Sequence, residues 1–508
     1  MKKDSLSSKF CFLFLFAGLV ACRFSVSTPP TATYRPPRIP TATLTPTQAN
    51  AETLSAPSEA PSTASPIPAP PTAIPPTLEP VCRRASYQLS VTFDVSEQNA
   101  AVAESIVYRN NSSQALSELL LIVEPARREG IFTLNRIVWP GGAQAGAFRW
   151  ERGFLYLPLA GALLPGHEVT IEIDYTLALP PNAGVLGFTP RQANFGDWYP
   201  YIPPYQEGAG WLAYAPSSVG EYLAFDKADF DVNVQVINEP SGWEVIAPGL
   251  VARDGNTYHF VWENARSFAW SGSAQYTLAE EQFGDVHVRQ YTLGSHAHKG
   301  EYALTVIGKA LMLYSELFAP YPHDELIAIE ADFFDGMEYD GLFYLGETYF
   351  QQHDGTPADY LTALTAHETA HQWWYGLVGN DPAWEPWLDE AFCTYSEYLY
   401  YERYAPELLS WWWQYRSERF HPHGWVNSTV YDQVDFRTYV DAVYLEGAHF
   451  LNDLRDRVGN EAFFATLKKY SLSYADELAT TDGFFSILDQ QTQKPYQDIV
   501  DSYFRAEP

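Results

Sequence analysis

The stretch TAHETAHQWWYGLVGNDPAWEPWLDEAF, residues 365 to 392, sets two histidines four positions apart with a glutamate between them. A helix turns about 100° per residue, so His367 and His371 fall on one face, roughly 6 Å apart, and can share one ion. Glu368 lies on the same turn, close enough to work on a water bound to that ion without ligating it. A hydrolytic zinc site takes three protein ligands and keeps a fourth position open. Glu390 can be the third ligand, since it follows His371 after eighteen intervening residues on what reads as a second helix.

Two helices must hold these groups. The first is expected to begin near Thr356 and Pro357 and to stop at Gly376; the second reads PWLDEAFCTYSEYLYYERY, with Pro386 near its first turn. Between them GLVGNDPAW has the Gly, Asn, Asp and Pro of a connecting loop. An antiparallel pair of this kind brings His367, His371 and Glu390 together. Glu397 follows Glu390 by seven residues, two turns along the same face. There it can either hydrogen-bond a ligating histidine and fix its tautomer or stand as a solvated acid.

His-Glu-x-x-His, eighteen residues, then Glu within Trp-Leu-x-Glu resembles the aminopeptidase N family of zinc peptidases, within the gluzincins. HETAHQWWYGLVGN and PWLDEAF carry the match, although Asp389 and Ala391 stand where the family usually reads Asn and Gly. The resemblance spans roughly residues 85 to 508. It implies one Zn²⁺ per chain, peptide substrates, and a thermolysin-like, mostly helical catalytic domain with a small sheet. DFFDGMEYDGL, residues 332 to 342, resembles the family's Gly-Ala-Met-Glu-Asn exopeptidase motif, with Gly336, Met337 and Glu338 at the Ala, Met and Glu positions and departures at Asp335 and Tyr339. An extended edge can pair with substrate backbone, and a carboxylate at its end can bind an α-ammonium, the role Glu338 is expected to take. An oxyanion donor is also needed. TYVDAVYLEGAHFLNDL offers Tyr439 and Tyr444, and Tyr444 matches the family's catalytic tyrosine before x-Lys-Gly-Ala, with Glu446 in place of the lysine. Family members usually carry a long helical carboxy-terminal domain over the active site, whereas this sequence ends at Pro508. A more open cleft is the expectation.

The chain begins MKKDSLSSKFCFLFLFAGLVACRFS. Lys2 and Lys3 at the start and an apolar run from Phe10 to Ala21 read as a signal peptide, residues 1–21, the run being too short for a membrane span. LVAC looks like a bacterial lipobox, which implies cleavage before Cys22 and lipidation of that cysteine. Residues 22–81 are rich in Pro, Thr, Ala and Ser and cannot bury a core, so they read as an extended tether. The expected location is extracytoplasmic, with the protein lipid-anchored to the bacterial cell membrane. Cys82 and Cys393 remain, and Cys393, one turn beyond Glu390, is expected to be a buried free thiol. Net charge is −31, and loss of residues 1–21 would leave −33, which disfavours nucleic acid as a partner.

Alternating runs such as SYQLSVTFDV, HEVTIEIDYTL and FDVNVQVI mark residues 82–278 as an amino-terminal antiparallel β-rich domain. Helical patterning then dominates 279–508, beginning with GEYALTVIGKALMLYSELFAPY, so the fold class is α+β multidomain. Three functional readings follow: a zinc aminopeptidase, an endopeptidase with the same chemistry, and a non-catalytic peptide-binding lipoprotein on a peptidase fold. Intact ligands together with Glu368 argue against the third, since a binding site alone has no need of a general base. Hydrolysis of free aminoacyl reporters against amino-blocked peptides separates the first two. The sequence leaves residue preference, biological substrate and oligomeric state open.

Overall fold

In the strand Ala85–Asp94, Tyr87, Leu89, Val91 and Phe93 are buried while most of the residues between them face outward, the period-two pattern of a sheet with one covered face. The same alternation runs through Asn99–Arg109, Glu168–Ala178 and Ala228–Ile237. These strands build a seven-stranded sheet in the order Leu250–Asp254, Thr257–Ala265, Ala228–Ile237, Ala85–Asp94, Asn99–Arg109, Glu168–Ala178, Phe132–Val138. Pairing is antiparallel except between Ala85–Asp94 and Ala228–Ile237, which lie parallel. The sheet is thus antiparallel in the main, as expected, with one parallel pair inside it. The two strands are more than a hundred residues apart in sequence, so no hairpin sets their direction.

The structure, a computed structural model, describes residues 84–138 and 148–506. The expected signal segment, Cys22, the tether and Cys82 lie outside the described residues. Cys393 is a buried free thiol. No helix among the described residues is long and apolar enough to cross a membrane.

A second, five-stranded sheet begins at Tyr276 and runs in the order Tyr276–Phe283, Val286–Leu293, Glu325–Ala331, Leu342–Gly346, Gly336–Tyr339. Its last strand is an edge. Ile246 and Ala269 from the first half join Tyr291, Ile327, Ile329, Tyr339 and Tyr344 in a small apolar core beneath this sheet. Helices follow, chiefly Ala297–Leu317, Tyr360–Ala370, Trp387–Tyr404 and Glu446–Val458, around a large core that includes Trp373, Trp374, Trp387 and Trp412. Tyr314 ties three of them together, its hydroxyl donating to the carbonyls of Ala366, at 3.2 Å, and Ser396, at 2.9 Å. A β-rich first half followed by a mostly helical half with a small sheet is the α+β arrangement expected from the sequence.

Candidate active site

Asp359 caps the histidine helix, its carboxylate accepting from the Thr362 amide at 2.9 Å. The helix runs Tyr360–Ala370, and His371 still holds helical torsions, φ −60° and ψ −17°. It stops short of the expected Gly376. Beyond His371 the amides of Gly376, Leu377 and Val378 reach carbonyls five residues back, and the guanidinium of Arg266 takes the Tyr375 and Gly376 carbonyls. The chain therefore widens and turns away, and Tyr375 sits at φ +148°.

His367 and His371 have ring centroids 4.8 Å apart. Glu390, in the first turn of Trp387–Tyr404, places Oε2 3.2 Å from His367 Nε2 and 3.6 Å from His371 Nε2. All three side chains are buried. Burial alone pushes the His367 imidazole toward neutrality, but hydrogen bonds to Glu390 and Glu397 raise it to about 9. Burial also pushes the Glu390 carboxyl up, but the His367 hydrogen bond, the charges of both imidazoles and the Tyr444 hydroxyl together bring it below its ordinary value. Two imidazoles and one carboxylate, converging within 4.8 Å, form an N,N,O donor set that suits zinc.

The outer side of the site is also built. His367 Nδ1 lies 3.0 Å from Glu397 Oε1, so Glu397 orients the imidazole rather than standing in solvent. Glu397 is in turn held by Arg416, whose Nε and Nη2 donate at 2.8 and 2.7 Å, and by the Trp412 indole at 3.1 Å. His371 Nδ1 faces the Trp374 carbonyl at 3.2 Å and Asp389 Oδ1 at 2.7 Å.

Glu368 is buried, and its Oε2 has no hydrogen-bond partner among the described residues. Burial pushes its carboxyl up to about 7, against the opposing pull of the two imidazoles. Its Oε1 lies against the edge strand at Gly336. A Cβ there would fall 1.9 Å from that oxygen, so the approach requires glycine. Two residues along the strand, Glu338 is buried, its Oε1 4.0 Å from His371 Nδ1. Alternation turns Met337 the other way, against the Tyr339 and Tyr344 core, so its side chain is not brought to the site.

Tyr444 stacks parallel to the His367 ring at 5.8 Å, with its hydroxyl within reach of Glu390. Tyr439 lies behind it, ring centroids 5.6 Å apart, fully buried and with an unpartnered hydroxyl among the described residues. Glu446 lies beyond, half-buried, and burial pushes its carboxyl up to about 7.

Sequence reasoning missed Glu221. This residue comes from the β-rich half, and its carboxyl is pushed well up by burial and by the charges of Glu390 and Asp389. Nothing in SSVGEYL has ligand spacing that would flag it. Arg416 and Trp412 were missed too, since an aromatic run, WWWQYRSERF, gives no hint that two of its members reach Glu397.

Residues 302–503 match the Peptidase family M1 domain. The chain is 30% identical over 235 residues to Aminopeptidase M1-D of Oryza sativa subsp. japonica, covering 42% of this chain and 26% of that protein. Aminopeptidase M1 of Arabidopsis thaliana is 31% identical over 238 residues, covering 43% and 26%. Probable aminopeptidase 2 of Sulfurisphaera tokodaii is 25% identical over 246 residues, covering 45% and 31%. The matched region thus spans about a quarter to a third of the length of these relatives. Among solved structures, an M1 zinc metallopeptidase from Deinococcus radiodurans superposes with a TM-score of 0.61 at 18% identity, covering 84% of this chain and 94% of that one. A mutant of the Deinococcus enzyme bound to Tyr-ser-ala substrate gives 0.60 at 18%, covering 84% and 96%. The shared fold therefore extends across both halves of the described chain.

Proposed function

We propose, from the match of residues 302–503 to the Peptidase family M1 domain, that the protein is a zinc-dependent aminopeptidase that removes amino-terminal residues from peptides. The observation that carries this reading is the convergence of His367 Nε2, His371 Nε2 and Glu390 Oε2 beside a Glu368 carboxylate with one unpartnered oxygen. Glu338 on the adjoining strand edge, buried 4.0 Å from His371 Nδ1, supports an aminopeptidase over an endopeptidase. The names of the relatives support the same reaction.

Bound by His367, His371 and Glu390, the ion supplies Lewis-acid polarisation of the scissile carbonyl and of the attacking water. Glu368 takes a proton from that water at its free oxygen and passes it to the departing amine. Tyr444 donates its hydroxyl to the carbonyl oxygen as charge develops there. Burial pushes the Tyr444 phenol well up, which keeps the proton on the donor. Arg416 and Trp412, through Glu397, hold His367 with Nε2 turned inward. Glu338 receives the substrate's α-ammonium. Glu221, whose like charge repels that of Glu338, gains from the same cation.

Tyr444→Phe is expected to keep zinc and KM while lowering kcat by roughly 10² to 10³. Steady-state kinetics with metal content checks this, and an unchanged kcat would pass the role to Tyr439 or to no tyrosine. The exopeptidase reading is tested by digesting one peptide in free and amino-acetylated forms. Acetylation leaves Glu338 facing a neutral amide, so the blocked peptide should be cut poorly, and Glu338→Ala should erase the difference mainly by slowing the free form. Internal cuts at equal rates in both forms would make the enzyme an endopeptidase and leave the zinc site standing.

A further inference from the structure

The stretch that carries Glu221 belongs by sequence to the β-rich half, yet it packs into the helical one. Residues 212–227, between the strands Gly210–Trp211 and Ala228–Ile237, form neither helix nor strand. So long an irregular segment within a compact fold needs anchors of its own, and such segments tend to carry function. The Tyr214 hydroxyl donates to the Asp381 carboxylate, the Ser217 hydroxyl donates to the Val430 carbonyl at 3.3 Å, and the Ala215 carbonyl accepts from the Tyr431 hydroxyl at 2.6 Å. Val219 is buried in the large apolar core around which the helices pack. On the far side of Glu221, the Tyr222 hydroxyl donates to the Glu124 carboxylate at 2.6 Å, back in the β-rich half. Glu221 therefore stands where the stretch crosses from one half to the other.

Gly220 sets that crossing. Its φ of +63° lies in the left-handed region, and a Cβ on it would fall 2.5 Å from Cζ and 2.6 Å from the hydroxyl oxygen of Tyr439. The Tyr439 ring has little room to give way, being fully buried with the Phe436 ring 6.4 Å and the Tyr444 ring 5.6 Å from it. The backbone thus closes on Tyr439 as glycine allows, and the next residue is Glu221. The charges of Glu390, Asp389 and Glu338 all repel Glu221. Its place beside them is kept by the backbone that carries it.

We propose that Gly220 and Tyr439 are positioning residues for amino-terminal recognition: their close contact holds Glu221 near enough to Glu338 for the substrate's α-ammonium to meet both carboxylates. This rests on the aminopeptidase reading and adds to it a determinant that lies outside the strand edge. Misplacing Glu221 weakens recognition of a free amine, because a charge-assisted contact is lost with its geometry. A substrate whose amine is blocked has no such contact to lose.

The test compares one tetrapeptide in free and amino-acetylated forms on the full zinc-loaded enzyme, with zinc content and Tm measured for each variant. Gly220→Asn tolerates the left-handed backbone but adds the Cβ that Tyr439 opposes. It should lower kcat/KM for the free peptide about tenfold and leave the acetylated one within about twofold, with zinc retained. Adding Glu221→Gln to it should cost no more than Glu221→Gln alone, since both remove the same contact. Tyr439→Leu makes room for the new Cβ, and paired with Gly220→Asn it should bring the ratio of free to acetylated rates back to within about threefold of the native ratio. If Gly220→Asn does not fold, Tyr439→Leu alone carries the test, because a slackened contact should lower the same ratio. No change in the ratio, equal losses on both peptides, losses that add to those of Glu221→Gln, or no recovery in the pair overturns the inference and leaves the aminopeptidase reading standing. A native enzyme that cuts both peptides equally overturns that reading as well.

Discussion

Glu368→Gln should keep zinc bound and the protein folded while lowering kcat by roughly 10² to 10⁴. The amide is nearly isosteric with the carboxylate, so the close approach to Gly336 survives. It cannot accept the water's proton, and the proton transfer loses its carrier. Zinc content measured alongside turnover decides the matter, because loss of metal would recast Glu368 as a ligand. The same base sets a pH dependence. Burial holds the Glu368 carboxyl above its ordinary range, and only the ionised form can act, so activity should fall as pH drops through its pKa. A bound cation lowers that pKa, placing the acid limb below the metal-free value of about 7.

Removing a metal ligand should have a still larger effect. His371→Ala or Glu390→Ala leaves two donors where a stable site takes three, so zinc should be lost on dialysis and turnover with it. Metal analysis after dialysis checks this, and wild-type-like zinc in either variant would remove that residue from the site. Chelation of the native enzyme should abolish turnover, and added zinc should restore it. The fold should survive chelation, because the helical core extends far beyond the site and its apolar packing does not depend on the ion. Zinc should nevertheless raise Tm, since a ligand at 100 times its Kd stabilises the folded state by about 2.7 kcal/mol.

The legible part of this protein is the part governed by local periodicity. His367 and His371 share a face because the helix repeats every 3.6 residues. Glu390 could be placed because a short Gly- and Pro-bearing loop joins two helices antiparallel. The alternation in Ala85–Asp94 marks a sheet without reference to a partner strand, whereas Tyr444 is distinguished from Tyr439 only by its resemblance to a family motif. Four features were decided only in three dimensions. They are the parallel pairing of Ala85–Asp94 with Ala228–Ile237, the placing of Glu221 near Glu390 and Asp389, the clamp of Arg416 and Trp412 on Glu397, and the burial of Glu368 against Gly336. Even the end of the histidine helix depended on Arg266, more than a hundred residues earlier, taking carbonyls at its exit. Spacing along a chain specifies which side chains share one face of one element. Which faces then meet is set by the packing of apolar surfaces and the satisfaction of buried polar groups across the whole fold, and residues far apart in sequence carry no mark of that meeting.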